Sequence, residues 1–211
     1  MIIITYRGST KEKLKECEVL EEKLQSNISL KIIEFNNYFH EFCRKMIEIS
    51  GKMDELDKTN SKDKELHDNW KKIDQNFSEL NNIRDNIEDF DQKIIEEKTL
   101  LLKDLLKKCD ILEKILKIEL FNNYFYEFCG KMIEINKKMD ELNKVNSKNK
   151  VNPKFKELDC NLNEIDRNFS ELNNIKDNIE DFDQKIIEEK TLLLKDLLKK
   201  CEVLESGLQS I

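Results

Sequence analysis

Two histidines and six cysteines are the residues best equipped for chemistry in this 211-residue chain. His40 and Cys43 lie three apart, an interval that puts two side chains on one helical face, and a thiol beside an imidazole is a nucleophile–base arrangement. A later segment that repeats this stretch carries Tyr126 and Cys129 instead. A position that takes either His or Tyr within one chain serves packing rather than proton transfer. A di-metal carboxylate bundle would need Glu-x-x-His pairs, whereas His40 follows Asn37 and His67 follows Lys64 at that interval. The cysteines, at 17, 43, 109, 129, 160 and 201, form no C-x-x-C pair, so no zinc site is expected. They read as thiols packed like small hydrophobes, with disulfides as the alternative in an oxidising compartment. The four glycines form neither G-x-x-x-x-G-K nor G-x-G-x-x-G, and H-E-x-x-H is absent. No catalytic residue, cofactor or metal ligand is expected, and the chain does not read as an enzyme.

What organises these residues is a repeat. Residues 77–109 recur at 169–201 with one change, Arg84 to Lys176, and residues 35–62 recur at 121–148 with six differences in 28 positions. Cys17-Glu18-Val19-Leu20-Glu21 matches Cys201-Glu202-Val203-Leu204-Glu205, so Cys17, Cys109 and Cys201 stand 92 residues apart. A fixed internal period marks a repeat architecture. The reading divides the chain into a partial repeat helix at 1–29, a first helical repeat at 30–117 and a second at 118–211.

Apolar spacing supplies the elements. Phe35, Phe39, Phe42, Met46, Ile49, Met53 and Leu56 alternate at intervals of four and three, as do Phe121, Phe125, Phe128, Met132, Ile135, Met139 and Leu142. This heptad-like stripe predicts helices over about 30–58 and 118–145. Trp70, Ile73, Phe77, Leu80, Ile83, Ile87, Phe90 and Ile94 predict a second helix, and Leu102, Leu105, Cys109, Leu112 and Leu116 extend the pattern. Residues 58–62 and 146–149 read as loops, and Pro153 suits the first turn of the helix that follows. A turn is expected at Ser26, Asn27 and Ser29, and a capping box from Asp85 to Glu88 would break the helix there. Between Leu112 and Phe121 nothing forces a turn, so one helix can run straight through.

Each such helix has one apolar face and must bury it against a neighbour. The expected fold is all-α: an elongated antiparallel helical bundle or coiled coil, built from two tandem repeats of about 92 residues and the partial one. The plan resembles that of spectrin-like repeats, where neighbouring units share a continuous helix; the resemblance is one of architecture.

Charged and hydrophobic residues each make up 38% of the chain, the habit of long amphipathic helices. The net charge is −7 with both signs interspersed, so no nucleic-acid partner is expected. Residues 98–108, recurring at 190–200, are the most basic and amphipathic; acidic runs beside them argue against membrane-surface contact. No apolar run approaches a membrane span or a signal-peptide core. A cytoplasmic location is slightly favoured, or a secreted one if a leader was removed.

The aromatic residues Phe35, Tyr38, Phe39, Phe121, Tyr124, Phe125 and Tyr126 cover a broad face, and whatever bundle packing leaves over is the candidate partner surface. The expected function is a non-enzymatic scaffold that presents a repeated helical surface to a protein partner; open seams also allow a homo-oligomer. The alternative is a secreted or delivered effector of a parasitic or plant-feeding organism that binds a host protein. Lysine outnumbers arginine 33 to 4 and alanine is absent, a composition expected of A+T-rich coding, as in many parasites, some insects and some bacteria.

Overall fold

The computed structural model describes the backbone of residues 3–59, 63–146 and 153–209, and the side chains of these except 3–18, 24, 27, 145, 146 and 153–155. The described residues are all-helical with no strand. The helices are α1 (Ile3–Lys58), α2 (Lys64–Asp74), α3 (Phe77–Asp85), α4 (Gln92–Asn146), α5 (Pro153–Asp166), α6 (Phe169–Asp177) and α7 (Gln184–Gln209). Short 3-10 turns cover Ile87–Asp89 and Ile179–Asp181. Two of the helices are long, α1 with 56 residues and α4 with 55. The chain divides into two compact units: Met1–Ile49 with Lys64–Leu112, and Ser50–Asp63 with Glu113–Ile211.

The turn expected at 26–29 does not form. The Ser29 hydroxyl donates to the Gln25 carbonyl at 2.9 Å, bonding back along its own helix instead of capping a new one, and α1 continues. No glycine or proline lies there to stop it. Helix α4 likewise runs unbroken through 112–121. Lys58 ends α1, and the Thr59 hydroxyl takes the Leu56 carbonyl at 2.7 Å. The rest of that loop, 60–62, and the loop at 147–149 lie outside the described residues. Pro153 opens α5, where its missing N–H costs no helical bond.

The break after α3 is real, but its chemistry differs from the expected capping box. Asp85 accepts from the Asn81 amide at 2.9 Å and from Arg84 at 3.0 Å, while the Asn86 amide group donates to the Asn82 carbonyl at 2.9 Å. Phe90 is extended, and Asp91 caps α4 by accepting the Ile94 N–H at 3.0 Å. Asp183 does the same for α7 from Lys185 N–H at 2.7 Å. A second break, at 75–76, was not foreshadowed. The Asn76 amide donates to the Lys72 carbonyl at 2.8 Å, competing for a main-chain acceptor one turn back. Asn168 and Glu164 repeat this at 3.2 Å.

Contacts within each unit give its legs a direction. In the first, Lys31 of α1 pairs with Glu96 of α4, Glu34 with Lys103 at 2.8 Å, and Lys45 with Asp110 at 2.9 Å. The numbers rise together, so these legs run parallel. Lys98 meets Glu79 of the intervening α3 at 2.8 Å. In the second unit Lys117 of α4 pairs with Glu188 of α7 at 3.2 Å and Lys131 with Glu205 at 3.2 Å, again parallel. Glu171 with Lys190 (2.6 Å) and Glu164 with Lys200 (2.9 Å) run in opposite order. Each unit is therefore an up–down–up arrangement of two parallel legs and a broken return. A purely antiparallel array omits the parallel pair.

The buried face of each first leg is the aromatic stripe. Phe35, Phe39, Phe42, Met46 and Ile49 are buried in the first unit, and Phe121, Phe125, Phe128, Met132 and Ile135 in the second. Burying one such side chain contributes roughly 1.5–3 kcal/mol before conformational entropy is counted. Leu102, Leu105 and Cys109 face them from α4, and Leu194, Leu197 and Cys201 from α7. On the return leg, Trp70 is half-buried where its twin Leu162 is buried.

Candidate interaction surface

The seven aromatic residues separate by depth. Phe35, Phe39, Phe121 and Phe125 belong to the cores, with rings stacked in pairs at 6.1 Å between centroids. Fully buried rings present no area to a partner. The three tyrosines remain at the surface, each under a lysine or beside a core ring. Lys103 lies 4.7 Å from the Tyr38 ring centroid, and Lys195 lies 5.1 Å from that of Tyr124. Tyr126 is 61% exposed, with its ring edge-on to Phe125 and Lys176 at 5.5 Å. Such cation–ring contacts contribute about 0.5–1 kcal/mol at exposed sites.

Tyr124 is the most constrained of the three. Its hydroxyl donates to Glu55 Oε1 at 3.0 Å, and Lys195 pairs with the same carboxylate. Burial, then the Glu55 carboxylate, pushes its pKa up to about 12. Nearby, Lys52 and Lys117 alternate with Glu113 and Glu188. Lys52 lies 3.0 Å from Glu113 and 3.4 Å from Glu188, and Lys117 lies 2.9 Å and 3.2 Å from the same pair. Burial pulls the Lys117 pKa down, but its bonds to the two carboxylates outweigh that and hold it raised. Lys52, Lys117 and Glu188, together with Glu55 and Lys195, line a shallow groove of about 250 Å³ with Leu120, Thr191 and Leu192. Each lysine of the groove is paired with a carboxylate, Lys52 and Lys117 with Glu188 and Lys195 with Glu55.

The thiols of Cys43 and Cys129 are not activated. Burial raises the pKa of Cys43 and Cys129, and a reactive cysteine needs the opposite shift. His40 is exposed beside Cys43, and Cys160 is exposed on α5. Cys201 is buried, with its sulfur 3.9 Å from that of Met132. Cys17 lies outside the described side chains. Among the described residues no group of His, Cys, Asp and Glu is placed to hold a metal ion.

The sequence reading missed the exposed aliphatic residues, because it followed the buried stripe. Ile47, Leu100 and Ile111 of the first unit are between 60% and 75% exposed, as are Ile133, Leu192 and Val203 of the second. They form three matched pairs: Ile47 with Ile133, Leu100 with Leu192, and Ile111 with Val203. The signal for them was present as apolar residues off the heptad positions in both repeats. The charge square had a weaker signal, the i,i+4 spacing of Glu113 and Lys117.

No protein-family model, curated protein or solved structure matches the chain.

Proposed function

We propose that this chain is a non-enzymatic interaction protein, in which two tandem units of about 92 residues, preceded by a partial one, hold the same surface twice for a protein partner. The observation that carries this reading is the matched set of exposed aliphatic residues. Single exposed apolar residues are ordinary on any protein. Here three positions are apolar and exposed in both units while the side chains facing the core are also apolar. The tyrosines add amphipathic area to the same reading, since aromatic residues anchor many interfaces. The interspersed charges favour a protein over a nucleic acid. No helix among the described residues is long and apolar enough to cross a membrane.

The test is site-specific photo-crosslinking in the native source. A photo-reactive residue placed at Ile47 and, separately, at Ile133 should capture the same partner. One placed at the neighbouring Glu134 serves as the control. Capture of different species from the two positions, or of nothing beyond the control, would remove the reading.

A further inference from the structure

The solvent side of α7 carries a stripe whose spacing is the same from either end. Leu192, Asp196, Lys199 and Val203 follow at intervals of four, three and four, which keeps them on one narrow helical face. All four turn outward. Leu192 is 60% and Val203 72% exposed, and the side chains of Asp196 and Lys199 are 70% and 76% exposed. In the first unit α4 carries the same order with Leu100, Asp104, Lys107 and Ile111, its apolar pair again exposed. Position 203 lies beyond the segment 169–201 that repeats 77–109, and its valine differs from Ile111, yet it stays apolar. Each end of the α7 stripe borders a groove. The one beside Val203, about 330 Å³, is lined by Leu158, Ile165 and Leu204. The one beside Leu192 holds Leu120 and Thr191.

We propose that this stripe is covered by the same stripe of a second copy of the chain, antiparallel across a two-fold axis midway between Asp196 and Lys199. The inference rests on the reading of the exposed aliphatic residues as a protein-binding surface, and it names the partner. Charge decides both the partner and the direction. An order of apolar, acid, base, apolar is complementary to its own reverse: Leu192 meets Val203 of the second copy, and Asp196 meets its Lys199. Run parallel and in register, the stripe would set Asp196 against Asp196 and Lys199 against Lys199, and like charges face to face oppose pairing. Like-on-like contact of one patch is the isologous geometry of two-fold dimers. The flanking Lys195 and Lys200 leave the match intact, because each is held within its own chain, by Glu55 and Glu164. The pairing also brings Leu192 of each copy over the groove beside Val203 of the other, where apolar surface leaves water.

Sedimentation equilibrium of the full chain tests this. Its mass should rise with concentration from 25.2 kDa to at least twice that value. Substitutions are made in both units together, so that neither stripe stands in for the other. Asp104→Lys with Asp196→Lys should raise the dissociation constant by about tenfold or more, and so should Lys107→Asp with Lys199→Asp. All four changes combined put acid opposite base again and should bring the constant back to its original range. Helix content by circular dichroism should not change in any of these, since all four side chains are exposed in the single chain. Ile133→Glu, off the stripe, should leave association intact. A chain that keeps monomer mass at every concentration overturns the proposal, and crosslinking at Ile47 and Ile133 then judges the broader reading by itself. An assembly indifferent to the charge reversals overturns it too, as does one that the combined substitution fails to restore.

Discussion

Lys103 and Lys195 occupy the same place in two nearly identical 33-residue segments, and each sits against a tyrosine ring, yet they use different carboxylates. Lys103 pairs with Glu34. The position matching Glu34 in the second unit is Leu120, and Lys195 pairs instead with Glu55. A similar exchange occurs at the one difference between the segments. Arg84 lies 5.2 Å from the Phe39 ring, whereas Lys176 lies against Tyr126, the residue that replaces His40. The cation's position is retained and its partner is interchangeable. That is expected where an exposed pair contributes only about 0–1 kcal/mol, so that losing one carboxylate and recruiting another changes little. The buried stripe shows no such latitude, and Phe42 and Phe128 both have no exposed area.

The hardest test of this equivalence is to remove those rings. Phe42→Ala and Phe128→Ala should each cost about 3–5 kcal/mol. Urea unfolding followed by circular dichroism should put the two losses within about 1 kcal/mol of each other; a wider gap would mean that matched sequence hides unequal packing. Alkaline pH should then act on the second unit through Cys201. Burial pushes this thiol from its ordinary value of 9.0 to about 11, so the folded form keeps a proton that the unfolded form loses. Its contribution is complete below pH 9 and is lost as the pH rises through 11. Tyr124 carries the loss on towards pH 12. The urea midpoint should fall across this window, and Cys201→Ala should flatten the portion between pH 9 and 11. An equally steep fall in that variant would count against the thiol as the cause.

Smaller effects sharpen the comparison. Asp91→Ala and Asp183→Ala each remove the oxygen that caps a long helix and should cost about 1 kcal/mol, with faster amide exchange in the first turns of α4 and α7. Gly51 and Gly130 have nothing within 4 Å of an added Cβ, so alanine at either should stabilise by about 0.5–1 kcal/mol. Gly207→Ala should gain less, because Leu158 must turn aside; thermal melts that rank all three alike would show that it yields freely. The smallest change is Glu55→Gln, which should cost less than about 1 kcal/mol. Ultraviolet titration should nevertheless show the Tyr124 pKa drop below its value of about 12.

The apolar stripes of Phe35 to Leu56 and Phe121 to Met139 were legible because a period near 3.5 residues has one structural meaning, a helix with one buried side. Direction was not legible. Spacing assigns a face to each helix but does not say whether two faces meet head to head or head to tail; that emerges only when Lys31 finds Glu96 and Glu34 finds Lys103. The breaks at Asn76 and Asn168 were hidden because both residues keep right-handed helical angles, φ −81° and ψ −16° at Asn76, and no glycine or proline marks them. Ser29 misled in the other direction, since a serine hydroxyl can start a helix or bond back within one, and only its neighbours decide. For the surface, the broad aromatic face was visible in sequence. Its division into buried phenylalanines and surface tyrosines needed the return legs, which set how much of that face is covered.

Trp70 has a practical consequence. The chain has one tryptophan, on α2 of the first unit, and leucine stands at the matching place in the second. Excited at the red edge of its absorption, the chain emits from one unit only, while far-ultraviolet ellipticity sums over both. Two optical signals on an unlabelled sample can therefore be followed side by side during unfolding. A lag between them would time the loss of one unit against the other.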